Sequence, residues 1–311
     1  MHLAFFRISL AVLFFISCRQ KEETNSPTTG DLNIVCDELV SAVIQKQADE
    51  FEKAYPQARL NIKLGTTNYA IGRLLNNDVE CIISTRELDS AETDFLIRQN
   101  IKVYSQKLAL DGIAFIVNVQ NPVVELNLDQ LQNLLTGAIT AWKQISDTIR
   151  FPGRIKDVIV VTDGRKSGNY YFLRDQVTNH KQLSSSAMII PGDSLVSSSM
   201  RILHYISANE EAIGYISTGW LGNNPEFLKY SDRLKVLRIS GADFHKAVAP
   251  IPGYIYRGDY PLRRMIYIMH RQKHIGLAAG FTAYLAGNEG QRTFLNLNLV
   301  PAMNPIKLKT Q

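Results

Sequence analysis

Three turns carry hydroxyl side chains where an apolar, strand-like run gives way to a helical pattern: Thr66-Thr67-Asn68, Ser84-Thr85-Arg86 and Ser167-Gly168-Asn169. A fourth, Cys36-Asp37-Glu38, places a carboxylate in the same setting. The first N–H groups of a helix have no carbonyl partner within it, and the helix dipole favours negative charge there. Residues of these types can therefore cap their own helix, or they can join the free N–H groups in holding an anion. Gly168 permits close backbone approach and Ser167 can donate directly, while Arg86 and Arg165 are nearby guanidiniums suited to a charge-assisted clamp. Capping stays open as the alternative for Asp37, for Thr67 or Asn68, and for Ser167. Arg86 has a second use as a surface partner of Glu87 or Asp89.

Other chemistries lack their residues. A hydrolase needs a nucleophile, a base and a group that orients the base. The six histidines, His2, His180, His204, His245, His270 and His274, fall in none of these turns and in no nucleophile motif. No cluster has metal-ligand spacing, so neither an enzyme, a metal site nor a cofactor is expected. The formal charge of +5 is mild and unclustered, which does not argue for nucleic acid. Cys36 and Cys81 both lie in strand-like runs and read as buried free thiols or, in an oxidising compartment, as one disulfide.

The turns must be positioned by alternating strands and helices. Asn33-Ile34-Val35-Cys36 is a short strand, and Val40, Val43, Ile44, Ala48 and Phe51 then recur at helical spacing until Tyr55-Pro56. Leu60, Ile62 and Leu64 alternate with polar residues as a second strand. A helix over Ile71 to Leu75 and a third strand over Val79 to Ile83 follow. Asp89 and Glu92 have capping-box spacing. Further strands are expected at Ile113 to Val119, Val158 to Val161, Ile213 to Ile216, Val236 to Ile239 and Met265 to Met269. Helices are expected at Leu128 to Leu135, Tyr170 to Val177, Ser197 to Ile206 and, as the terminal one, Leu277 to Leu285. This alternation argues for α/β architecture with parallel sheets covered on both faces.

The N-terminus reads as an export signal. Arg7 precedes an apolar run, Ile8 to Ile16, that is too short to span a bilayer. It ends in Phe15-Ile16-Ser17-Cys18, which resembles a bacterial lipobox, so residues 1–17 would be removed and Cys18 lipidated. Residues 18–30 are polar and read as a flexible tether. Their Lys21-Glu22-Glu23 is similar to the signal that sends some Bacteroidetes lipoproteins to the cell surface.

Taken in order, the landmarks resemble the phosphate-binding proteins of bacterial ABC transporters, especially their shorter Bacteroidetes-type lipoprotein relatives. The resemblance runs from Asp31 to about Pro301. It rests on Cys36-Asp37-Glu38, on Ser84-Thr85-Arg86-Glu87-Leu88, and on Asp111-Gly112-Ile113-Ala114-Phe115-Ile116-Val117-Asn118. It continues through Leu134-Leu135-Thr136-Gly137, Thr140-Ala141-Trp142, Ser167-Gly168-Asn169, Ala212-Ile213-Gly214-Tyr215-Ile216 and Tyr260-Pro261-Leu262-Arg263.

The resemblance implies a two-lobed, type II periplasmic-binding-protein-like fold with two hinge crossovers. Lobe one would be residues 31–108 plus 241–311, and lobe two residues 109–240. It also implies a monomer that captures inorganic phosphate or a similar oxyanion and delivers it to ABC permease subunits. The chain would sit in the cell envelope, periplasmic or surface-exposed, touching the membrane only through its anchor. The ligand set would comprise Asp37, Thr66, Thr67, Thr85, Arg86, Arg165, Ser167, Gly168 and Asn169. The chain departs from the pattern four residues before Ser167, where Asp163 replaces an arginine and Arg165 and Lys166 are the shifted substitutes. Asp37 would accept the proton of a protonated oxyanion and penalise sulfate. The alternative is a non-transport surface lipoprotein of the same fold that senses an anion or binds a partner.

Overall fold

The computed structural model describes residues 26–241, 246–271 and 275–303. The signal segment and Cys18 lie outside these residues, as do His2, His245 and His274. In chain order the elements begin with β1 (Gly30–Asp37), α1 (Ser41–Ala54), β2 (Ala58–Gly65), α2 (Thr67–Leu75), β3 (Cys81–Ser84) and α3 (Ser90–Arg98). There follow β4 (Val103–Asn118), β5 (Glu125–Asn127), α4 (Leu128–Thr136), β6 (Ile159–Thr162), α5 (Gly168–Gln176), β7 (Met188–Ile189) and α6 (Ser198–Ala208). The remainder are β8 (Ala212–Ser217), α7 (Pro225–Leu228), β9 (Leu234–Val236), β10 (Arg238–Ser240), α8 (Pro252–Arg257), β11 (Arg263–Arg271), α9 (Leu277–Ala286), α10 (Asn288–Asn296) and β12 (Val300–Pro301).

One long strand joins the two lobes. Residues 103–112 of β4 pair antiparallel with β11, and residues 113–118 pair with β8 and β9. The sheet order is therefore β2-β1-β3-β11-β4-β8-β6-β7, continuous across the junction. Parallel β1, β2 and β3 are linked through α1 and α2, the connections that parallel neighbours need. In lobe one, helices cover both faces of the sheet. Phe51, Phe281 and Phe294 fill one side, while Ile71, Leu74 and Met269 fill the other. Lobe two repeats the plan, with Phe115, Trp142 and Leu173 on one face and Ile202, Leu203 and Ile206 on the other.

The lobe boundaries differ from those expected at 108/109 and 240/241. The first crossing falls at Gly112/Ile113, where β4 changes partners. On the way back, Val248 bridges to Ile239, and Ile255, Tyr260 and Leu262 complete the core around Phe115 and Trp142. The chain thus leaves lobe two only at Leu262/Arg263, where the Leu262 carbonyl accepts from the Ile113 amide at 2.8 Å. Burial of those three large side chains keeps residues 248–262 with lobe two. Cys36 and Cys81, on adjacent strands, are both buried free thiols, so the disulfide alternative is not realised.

Candidate functional site

Asp37 ends β1 and is fully buried. Its Oδ1 accepts the Leu39 amide at 3.2 Å, capping a 3-10 turn over residues 38–40 that leads into α1. Its Oδ2 accepts the Thr67 hydroxyl in a short hydrogen bond and the Thr85 hydroxyl at 2.7 Å. Thr67 opens α2 and Thr85 follows β3, so three parallel strands deliver three side chains to one point. Burial pushes the Asp37 carboxyl above its ordinary range, while the field of Arg264, both hydroxyls and the Leu39 amide pull it back.

Lobe two contributes the opposite wall. Ser167 caps α5, accepting from the Tyr170 amide at 3.0 Å and donating to Asp163 Oδ1 at 2.7 Å. Asn169 Nδ2 donates to Asp163 Oδ2 at 2.7 Å, and the Tyr215 hydroxyl lies 3.3 Å from Oδ1. Asp163 is thus the post around which the Ser167-Gly168-Asn169 turn is tied. Burial raises its carboxyl to about 6, against those hydrogen bonds and the Arg264 field. Gly168 faces lobe one so closely that a side chain there would run into Thr67 Oγ1 and Thr85 Oγ1, with Asp37 Oδ2 3.3 Å away. The turns from the two lobes therefore meet at Asp37.

The junction strands form the floor. Arg264 on β11 stands opposite Asp111 on β4 in the ladder, and both are buried. Arg264 Nε and Nη2 donate to Asp111 Oδ2 at 3.1 and 3.0 Å. Asp111 Oδ1 accepts from the Ser217 hydroxyl and from the Thr218 amide and hydroxyl. The third guanidinium nitrogen, Arg264 Nη1, is buried without a hydrogen-bond partner among the described residues.

A second contact ties the lobes beside this site. The Glu38 carboxylate of lobe one accepts the Ser198 amide at 2.5 Å and the Ser198 hydroxyl at 2.8 Å, at the N-terminus of α6. The Ser197 hydroxyl donates to the Glu38 carbonyl at 2.8 Å, and Trp220 Nε1 donates to the Leu39 carbonyl at 2.7 Å. Burial lifts the Glu38 carboxyl to about 7, with Asp163 adding to the rise. Next to Glu38, a cavity of about 600 Å³ opens between the lobes, lined by Lys63, Thr66, Asn68, Lys166 and Asp193 among others.

Of the residues expected from the sequence, Asp37, Thr67, Thr85, Ser167, Gly168 and Asn169 are brought together. Three are not. Thr66 caps α2 through the Tyr69 amide at 3.3 Å. Arg86 forms a two-pronged pair with Glu92 at 2.8 Å per bond and also holds Asn68 Oδ1 at 3.1 Å. Its partner is thus the acid of the Asp89 capping box rather than Glu87 or Asp89. Arg165 is exposed and borders a separate lobe-two hollow with Tyr170, Leu183 and Ser184, so it does not replace the arginine missing at Asp163. The sequence reading missed Glu38 and the Asp111–Arg264 pair. Their signal was charge beside or within apolar strand runs, where an ionised group survives only if paired.

Among the described residues no group of three or more His, Cys, Asp or Glu could hold a metal ion, and no helix is long and apolar enough to cross a membrane. The phosphate-binding protein PstS of Staphylococcus haemolyticus is 24% identical over 237 residues, 76% of this chain and 69% of that protein. Among solved structures, a Clostridium perfringens protein assigned as a phosphate ABC transporter substrate-binding protein, with bound phosphate, superposes with a TM-score of 0.72 at 21% identity. The match covers 88% of this chain and 100% of that one. An ABC-type phosphate transport receptor from Vibrio cholerae gives a TM-score of 0.62 at 21% identity, over 88% of this chain and 100% of that one. Those likenesses are of fold, and the two-lobed α/β plan agrees with them. A family model described as the PBP superfamily domain matches residues 21–289, and the chain belongs to that superfamily.

Proposed function

We propose that this chain is the extracytoplasmic solute-binding component of an ABC importer, capturing phosphate or a closely related oxyanion between its lobes. The observation that carries this reading is the meeting of hydroxyl-bearing turns from both lobes at buried Asp37. The N-terminus of α5, at Gly168, lies against that cluster, and a helix N-terminus favours an anion. The relatives named above as phosphate-binding proteins support the same ligand class. Binding and release, with permease subunits as partner, account for the site without catalysis, and the unit of function is the monomer. Thermal unfolding with phosphate, sulfate, molybdate and organic phosphates tests the reading. Ligand at a hundredfold over its Kd should stabilise by about 2.7 kcal/mol. No stabilisation by any of them overturns it.

A second reading, a surface lipoprotein of this fold that senses an anion or engages a partner, draws on Asp163 standing where an arginine was expected. A partner-binding module should show no response to the same anion panel. Under either reading, Cys18 is the lipidation site and the chain is held at the cell envelope by its acyl chains. Cys18→Ser is expected to leave the precursor unprocessed and unlipidated. A normally cleaved, membrane-bound Cys18→Ser product would contradict the anchor.

A further inference from the structure

We propose that Arg264, carried on the strand at the lobe junction, is the guanidinium that clamps the anion, with Asp111 as its positioning residue. The proposal rests on the oxyanion reading of the cleft and names the charge that this reading otherwise lacks. Arg264 is only 6% exposed, and its Nη1 has no hydrogen-bond partner among the described residues. A buried N–H left unpaired costs free energy comparable to a lost hydrogen bond, more for a charged group, unless a ligand takes it. On β11, Tyr267 pairs with Ser84 at the end of β3, so Arg264 stands three residues further along at the edge from which Thr85 follows, and its charge is felt by Asp37 in one lobe and Asp163 in the other.

The other basic side chains near the cleft are spent or stand in solvent at its rim. Arg86 is committed to Glu92 and Asn68, Arg165 is exposed, and Lys63 and Lys166, which line the cavity beside Glu38, are exposed as well. Arg271, at the far end of β11, gives Nε and Nη2 to the carbonyls of Leu74 and Leu75. Asp111 fixes the Arg264 fork through Nε and Nη2, leaving Nη1 as the donor for a ligand. The Thr67, Thr85 and Ser167 hydroxyls already donate to Asp37 and Asp163 and so present lone pairs to the cleft. With Asp111 tied to the guanidinium, Asp37 and Asp163 remain as carboxylates that can accept a proton, which suits a tetrahedral oxyanion that still carries one, as phosphate and arsenate do at neutral pH.

Isothermal calorimetry with phosphate, arsenate, sulfate and molybdate at pH 7 tests this on the wild type, R264K and the double variant R264Q/D111N. The double variant leaves no stranded buried charge. R264K should weaken phosphate at least thirtyfold, and R264Q/D111N at least a hundredfold with its circular dichroism spectrum unchanged. A folded R264Q/D111N that binds phosphate within threefold of wild type overturns the proposal. A measurement without mutation is the 15N–1H signal of the Arg264 guanidinium in the wild type, which saturating anion must shift. An unchanged signal at calorimetric saturation also overturns it. If wild type ignores phosphate but binds arsenate or molybdate through Arg264, the phosphate reading alone falls. If it binds none of the four anions, both fall.

Discussion

Asp37 divides its carboxylate between a turn and the hydroxyl cluster of the cleft, Oδ1 taking the Leu39 amide and Oδ2 the Thr67 and Thr85 hydroxyls. The sequence left capping and ligand contact as alternatives, and the geometry lets one side chain serve both. When the Asp37 carboxyl is ionised, hydrogen phosphate can offer it a proton, whereas sulfate has none to offer. Asp37→Asn removes the charge and supplies donors. A hydrogen bond to a charged group is worth about 1.5–3 kcal/mol, so the sulfate-to-phosphate affinity ratio should rise roughly tenfold or more. An identical ratio in the two proteins, read by calorimetry, would remove Asp37 from selectivity. Burial pushes the carboxyl upward, so in the wild type sulfate should gain as pH falls and Asp37 takes up a proton. The placement of turn residues such as Asp37, Thr67 and Ser167 was legible because it follows from local order: strand, turn, helix. Arg264 was not, because its role needs the antiparallel register that sets it opposite Asp111, far away in sequence.

At the level of elements, most strands and helices were legible from periodicity, including the Asp89–Glu92 capping box at the head of α3. The first half of β4 was missed because Tyr104, Ser105, Gln106 and Lys107 break any apolar pattern. Pairing with β11 holds them extended instead. Similarly, α10 was missed since its sequence is mostly polar, with Gln291 and Phe294 turned into the core. The element on which the site depends most is α5, whose first residue, Gly168, packs against the lobe-one hydroxyls. Gly168→Ala should fold normally, because the first position of a helix accepts Ala without strain. Its methyl group would still stop the lobes short of full approach. Phosphate affinity is expected to fall at least tenfold, about 1.4 kcal/mol. Small-angle scattering should then show no compaction at phosphate concentrations that compact the wild type. Equal compaction in Gly168→Ala would mean that the two walls can part here without loss.

For the whole molecule, the carboxylate that ties one lobe to the other is Glu38, at the N-terminus of α6. If the lobes parted, Glu38 would meet water and return toward its ordinary 4.5, whereas between the lobes burial raises it to about 7. The sign follows from linkage. The closed form binds the proton more tightly, so its advantage is complete below pH 4.5 and is lost as pH rises through 7. The whole effect is at most about 3 kcal/mol, at 1.36 kcal/mol per unit of displacement. Asp163 also titrates in this window, at about 6, but its hydrogen-bond partners Ser167, Asn169 and Tyr215 all lie within lobe two. Its titration therefore affects folding of that lobe more than closure. Glu38→Gln keeps an acceptor for the Ser198 amide and removes the titration. Ligand-free wild type should become more compact by small-angle scattering as pH is lowered from 8 to 5, and Glu38→Gln should show a smaller change, because Asp37, also raised by burial at the contact between the lobes, still titrates. A parallel response in the two proteins would assign the pH dependence to other groups and leave Glu38 as a fixed cap on α6.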